Sequence, residues 1–151
     1  MTLPDVNIWL ALSLSGHPHH PAARDWLGGE ADPSGVRFCR ATQQGLVRLL
    51  TTAAVLAPFG IPPLTNRAAW GIIGEFMADD RIDFAAEPDG VEARWKTWAL
   101  RDTASPKLWM DAWLAAVAHR LEAQFVTVDK AFTQFSGLDL LILGTNHPQK
   151  K

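Results

Sequence analysis

The sequence predicts an α/β fold of three layers, a central and mainly parallel sheet held between helices, and three observations carry that expectation. Apolar residues recur at three- and four-residue spacing in several separate windows, the mark of helices with one buried face. Short runs rich in β-branched and aromatic residues stand between those windows, as strands do. The run from Leu138 to Leu143 is almost wholly apolar, which suits a strand covered on both faces and therefore a parallel sheet. Strand followed by helix, repeated along the chain, is the order that right-handed crossovers produce.

Taken in order, Leu3 to Asp5 reads as a brief strand, and Val6, Trp9, Leu10 and Leu12 give the next segment the apolar face of a helix closed by Ser15-Gly16. Pro21 to Leu27 predicts a second helix, and Arg37 to Cys39 a second strand. Gln43 to Thr52 carries Leu46, Leu49 and Leu50 at helical spacing, and Gly60 with Pro62-Pro63 ends regular structure. Thr65 is suited to cap a helix whose stripe is Trp70, Ile73 and Met77, widened by Ile72 and Phe76 and stopped by Asp79-Asp80. Ile82 and Phe84 alternate with Arg81 and Asp83 as in a strand, and Pro88-Asp89-Gly90 turns the chain into a helix bearing Val91, Trp95 and Trp98. Asp111 to Ala123 has the clearest helical pattern, with Leu114, Val117, Ala118 and Leu121 on one side. Phe125 to Val128 and Leu138 to Leu143 complete the set as strands.

A chain of 151 residues is the size of one domain, expected here over residues 1–145 with a polar tail at 146–151. The lone Cys39 cannot form an internal disulfide, and Asp5 and Asn7 interrupt what would otherwise be the apolar core of a leader. No window reaches the roughly 20 apolar residues of a membrane helix, so the expectation is a cytoplasmic protein with no membrane contact. The formal net charge of -2 gives no general pull toward polyanions, so contact with nucleic acid would rest on local Arg and Lys or on a bound cation.

In α/β sheets, ligands bind beyond the carboxyl ends of the strands, and this selects among the sixteen acidic residues. Asp5 ends the first strand, Asp129 follows the Phe125-to-Val128 strand, and Asp111 opens a helix expected to flank the same edge. Hard cations such as Mg²⁺ take oxygen ligands and keep several waters, so two or three such carboxylates suffice to hold one. A cation there polarises a phosphate and acidifies water. Each of the three positions also fits an N-cap, and position alone leaves both roles open.

Larger blocks go further. Leu3-Pro4-Asp5-Val6-Asn7-Ile8-Trp9-Leu10-Ala11-Leu12, then His17-Pro18-His19-His20 and Ala23-Arg24-Asp25-Trp26-Leu27, resemble the opening of the PIN-domain ribonuclease toxins of the VapC family, mycobacterial type. Phe38-Cys39-Arg40-Ala41-Thr42-Gln43 leading into Leu46-Val47-Arg48-Leu49-Leu50-Thr51 resembles their second block. Asp111-Ala112-Trp113-Leu114-Ala115-Ala116-Val117-Ala118 and Phe125-Val126-Thr127-Val128-Asp129-Lys130-Ala131-Phe132 resemble their closing signature. The blocks span nearly the whole chain in the family's order, and their spacing is more specific than any one of them.

The resemblance implies a PIN-like α/β/α fold and a Mg²⁺-dependent endoribonuclease, with Mn²⁺ a substitute, acting as the toxin of a toxin-antitoxin pair that inhibits translation and growth. It implies metal-ligand and catalytic roles for Asp5, Asp111 and Asp129, a supporting role for Thr127, a cognate antitoxin, an RNA substrate and a homodimer. The chain departs from the family where many PIN domains carry a Glu: here the segment reads Thr42-Gln43-Gln44-Gly45, with no acid between Asp32 and Glu75. Gln43 offers an oxygen without charge, which weakens metal affinity and leaves the general base unassigned. The alternative reading is therefore a catalytically weak PIN-like module that binds RNA or a partner protein. His17, His19 and His20 lack the Cys or the i, i+4 His pair that would complete a zinc set. Cys39 reads as a small buried apolar group, and Arg40 and Arg48 as surface or ion-pair residues near the expected cleft.

Overall fold

Why the strands sit where they do follows from the pleat: adjacent residues face opposite ways, so a strand covered on both sides must be apolar throughout. The computed structural model describes residues 1–144. It has five strands, β1 (Thr2–Pro4), β2 (Val36–Phe38), β3 (Ile82–Phe84), β4 (Gln124–Thr127) and β5 (Leu140–Ile142). They form one sheet in the order β3-β2-β1-β4-β5, with every pairing parallel. Leu3 and Phe125 point into one core, Val36 and Phe38 into another on the opposite face, and Val126 into a third, smaller cluster.

The helices are α1 (Val6–Ser13), α2 (His20–Gly29), α3 (Arg40–Leu50), α4 (Ala53–Leu56), α5 (Asn66–Met77), α6 (Val91–Ala99) and α7 (Leu108–Arg120), with 3-10 turns at Ala57–Phe59 and Lys130–Gln134. One layer is α6 and α7, whose Val91, Leu114, Ala115 and Ala118 pack with Leu3, Phe125 and Phe132. The other holds α1, α3 and α5, where Trp9, Leu46 and Ile73 meet Val36 and Phe38. Trp9 stacks on Phe38 with ring centroids 3.6 Å apart, and Phe76 meets Trp9 edge-on at 5.1 Å. Burying such rings stabilises the fold by roughly 1.5–3 kcal/mol each. The three-layer α/β/α architecture is the one the sequence predicts.

Boundaries differ where caps, not periodicity, set them. α3 begins at Arg40 and not at Gln43, because Cys39 and Thr42 form a reciprocal capping box: the Cys39 amide donates to Thr42 Oγ1 at 3.1 Å. α7 begins three residues before Asp111, directly after Pro106-Lys107, and so Asp111 lies in its first turn and does not open it. It stops at Arg120, with Glu122 beyond it in the left-handed region at φ 54. The short α4 and its 3-10 turn were not expected, since four residues are too few to show a period. β5 is half-buried along its length because it is the edge of the sheet, so double cover holds for β1 and most of β4 but not for β2, whose Arg37 is half-buried, nor for the strand that suggested it. No helix among the described residues is long and apolar enough to cross a membrane. The predicted polar tail at 146–151 and the domain end at 145 lie outside the described residues.

Candidate active site

β1 and β4 are neighbours in register, with Pro4 opposite Val126, so their carboxyl ends open at one place on the sheet edge. Asp5 follows β1 directly, and its amide donates to Val126 O at 2.8 Å, extending the ladder by one step. Its backbone is extended, as an N-cap requires, and the side chain divides its two oxygens. Oδ1 accepts from the Val6 amide at 2.7 Å, while Oδ2 accepts from the Thr127 hydroxyl at 2.8 Å. Thr127 ends β4, is fully buried, and its Oγ1 also accepts from the Asp129 amide at 3.0 Å. One hydroxyl therefore ties together two acids that stand 124 positions apart in the chain.

Asp129 repeats the division. Oδ1 accepts from the Ala131 amide at 2.8 Å and caps the 3-10 turn, and Oδ2 faces Lys107 Nζ at 2.9 Å. The same ammonium reaches Asp111 Oδ2 at 2.6 Å. The structure thus brings all three predicted acids to one edge, with Asp111 and Asp129 sharing one cation and Asp5, among the described residues, sharing none.

Asp5 is 3% exposed, and burial pushes its carboxyl up to about 6, reinforced by the charges of Asp111 and Asp129 and resisted by the Thr127 and Val6 hydrogen bonds. Asp129 moves the other way, held below the usual carboxylate range by the Ala131 amide and then by Lys107. Lys107 is raised, mainly by its hydrogen bond to Asp111. Unequal environments thus drive the carboxyls of one site apart, a pattern typical of functional clusters.

Among the described residues, no three His, Cys, Asp or Glu side chains already close on a common point as a ready-made metal cage. The donor set still fits a hard cation that keeps its waters: two carboxylate oxygens converge on one positive charge, the Lys107 ammonium, and a third carboxylate beside them lacks a counter-ion. Gln43 is buried, and its Oε1 accepts from Arg40 Nη1 at 2.6 Å, so the oxygen it was expected to offer is engaged by a cation already. Arg40 in turn lies over the Phe84 ring, 4.8 Å from its centroid. Arg48 lines a groove with Val47, Thr51, Asn66 and Trp70, which holds none of the acids. The histidines pair locally, with the His19 amide donating to His17 Nδ1 and His20 Nδ1 donating to Ala11 O. Cys39 is buried beside Thr42, as an inert apolar group would be.

Lys107 is the residue that sequence reasoning missed. Its signal was the i, i+4 spacing to Asp111, which places both on one face of α7 once the helix is extended back to Leu108. The segment on either side of it lines a concavity of about 320 Å³, formed by Ala99, Leu100, Arg101, Asp102, Thr103, Ser105 and Trp109.

The PIN domain family model matches residues 2–138. Ribonuclease VapC41 of Mycobacterium tuberculosis is 55% identical over 144 residues, which cover 95% of this chain and 99% of that protein. The chain belongs to the VapC family of PIN-domain proteins. Within that family it is also similar to Ribonuclease VapC29 of the same organism, 29% identical with 93% of this chain and 94% of the relative covered. Two solved structures share the VapC fold at low identity. Mycobacterium tuberculosis VapC20, described as a Sarcin-Ricin loop cleaving toxin, matches with a TM-score of 0.65 at 16% identity, covering 92% of this chain and 98% of that one. VapBC2 from Rickettsia felis, bound to a DNA fragment from their promoter, matches with a TM-score of 0.66 at 12% identity, covering 95% and 98%.

Proposed function

We propose that the protein is a metal-dependent endoribonuclease whose site is Asp5, Asp111 and Asp129, with Mg²⁺ as cofactor and Mn²⁺ a substitute. The observation that carries this reading is the meeting of three distant carboxylates, one of them buried and without a cation among the described residues, at the mouth formed by β1 and β4. VapC membership and the ribonuclease name of a relative 55% identical supply the substrate class.

A divalent cation held by the three acids, directly or through water, supplies positive charge to a scissile phosphate and acidifies water. The chain's own contribution is placement. β1 and β4 fix Asp5 and Asp129 side by side, α7 presents Asp111, and the Thr127 hydroxyl holds Asp5 Oδ2 in one orientation. A carboxyl near 6 is mostly ionised at neutral pH and protonated below it, and a cation binds the ionised form, so occupancy of the site should rise as the pH passes up through about 6. The concavity at residues 99–109 is a place for the flanking nucleotides, with Arg101 for a phosphate and Trp109 for a base.

In the cell this activity makes the protein a toxin that inhibits translation and growth until a cognate antitoxin covers the mouth. The antitoxin is expected to bring an apolar helix and a basic side chain. A homodimer and a cytoplasmic location complete the reading. The test is cleavage of cellular RNA by the purified chain: product with Mg²⁺, none with chelator, and none from Asp5→Asn. Full activity of Asp5→Asn would remove the metal mechanism.

A second reading, a PIN-like module that binds RNA or a partner without efficient cleavage, is favoured by one observation. Gln43 stands where many relatives carry an acid, and its oxygen is taken by Arg40. That reading predicts RNA or partner binding with no metal-dependent product.

A further inference from the structure

We propose that Lys107 is an internal counter-cation that competes with the divalent metal for Asp111 and Asp129, so that the metal must displace it to enter. The proposal rests on the metal-site reading above and adds a residue that it does not contain.

The ammonium stands 2.6 Å from Asp111 Oδ2 and 2.9 Å from Asp129 Oδ2, bridging an acid on α7 to one after β4. Helix α7 gives no reason for a lysine there. Position 107 is its N-cap, where the positive end of the helix dipole opposes a cation and where Asp, Asn, Ser or Thr would satisfy the free amides. Lysine preceding its acid by four residues is also the weaker order for a helical ion pair. The acids, not the helix, account for its position.

The three members differ in their freedom to move. The Lys107 side chain is 69% exposed, against 15% for Asp111 and 30% for Asp129. Asp129 is further fixed by the Ala131 amide at Oδ1. The lysine is thus the mobile partner, and an exposed pair of this kind is weak enough to be exchanged. A dication brings one more positive charge than the ammonium and can serve all three acids, including Asp5, which Lys107 does not reach. Unfavourable acid-acid repulsion in the metal-free state is thereby offset by a group that leaves when it is no longer needed.

The experiment is calorimetric titration of Mn²⁺ into chelator-stripped wild type, Lys107→Met, Lys107→Arg and Asp111→Asn, with thermal unfolding of each in chelator. Lys107→Met should bind Mn²⁺ about ten-fold more tightly, the gain expected from removing a weak internal competitor. Its metal-free form should melt below wild type and recover more on adding Mn²⁺. Lys107→Arg keeps the competitor and should stay within about two-fold of wild type. Wild type and Lys107→Met binding equally, with Asp111→Asn weakened, would overturn the role of Lys107 and leave the metal site standing. Mn²⁺ binding indifferent to Asp111→Asn would overturn the site reading itself, and this proposal with it.

Discussion

A carboxylate has two oxygens, and at Asp5 and Asp129 they serve different ends: one closes a helical turn and the other meets a side chain, the buried Thr127 hydroxyl at Asp5 and the Lys107 ammonium at Asp129. Capping and a site role are therefore compatible at the same residue, which is why sequence position alone could not separate them. Burial of Asp5 has a measurable cost. Its carboxyl is raised to about 6, so its charge destabilises the fold above that pH and costs nothing below about pH 4, where it is protonated in folded and unfolded chains alike. Asp5→Asn should accordingly stabilise the metal-free protein by about 1–3 kcal/mol near pH 8. The gain should vanish as the pH falls to about 4, read by urea unfolding across that range; a gain that persists in acid would remove the desolvation account. Thr127→Val should cost about 1–3 kcal/mol, because the Asp5 oxygen loses its donor and the Asp129 amide its acceptor in a fully buried place. Thr127→Ser should restore most of that loss. Residue types were legible because strand ends announce themselves in apolar runs. Lys107 was not, because its meaning depends on a contact across 22 positions to Asp129.

At the scale of elements, the placement of Asp5 depends on how closely α3 approaches α1. A Cβ built on Gly45 would lie 2.9 Å from Val6 Cγ2, nearer than side-chain atoms settle, and Val6 is the first residue of α1. Alanine at 45 would gain up to about 1 kcal/mol of helix propensity, but overpacking against a stiff β-branched side chain costs about 1–3 kcal/mol. Gly45→Ala should therefore destabilise the protein and weaken activity by shifting Asp5, and Val6→Ala in the same chain should recover stability. A double-mutant cycle by thermal unfolding checks both the sign and the coupling. Gly45 stood in a helical pattern in the sequence, but nothing local said which neighbour excluded its side chain. Longer elements such as α5 were read nearly to their ends because Thr65 caps them and the stripe is unbroken. The starts of α3 and α7 were misplaced because a Cys39-Thr42 box and a Pro106-Lys107 entry leave little trace in apolar spacing.

For the whole molecule, a net charge of -2 and an acidic mouth mean that RNA meets repulsion before it meets attraction. Binding of a non-cleavable 2′-O-methyl RNA, followed by fluorescence anisotropy, should tighten at least about ten-fold when millimolar Mg²⁺ replaces chelator, because the cation offsets the acids that repel phosphate. Equal affinity in both conditions would mean that basic residues elsewhere carry the contact. The parallel sheet and its layers were legible in the sequence, while the order of strands was not, since periodicity says which segments pair with something but not with which. That order has a further result. β1 lies at the centre of the sheet, and its partner β4 emerges from the ribosome some 120 positions later, bringing the hydroxyl that orients Asp5. A chain made only as far as α7 would carry Asp5 and Asp111 without Thr127 or Asp129, so the three-acid mouth can close only once the fourth of the five strands has been made and has paired with the first.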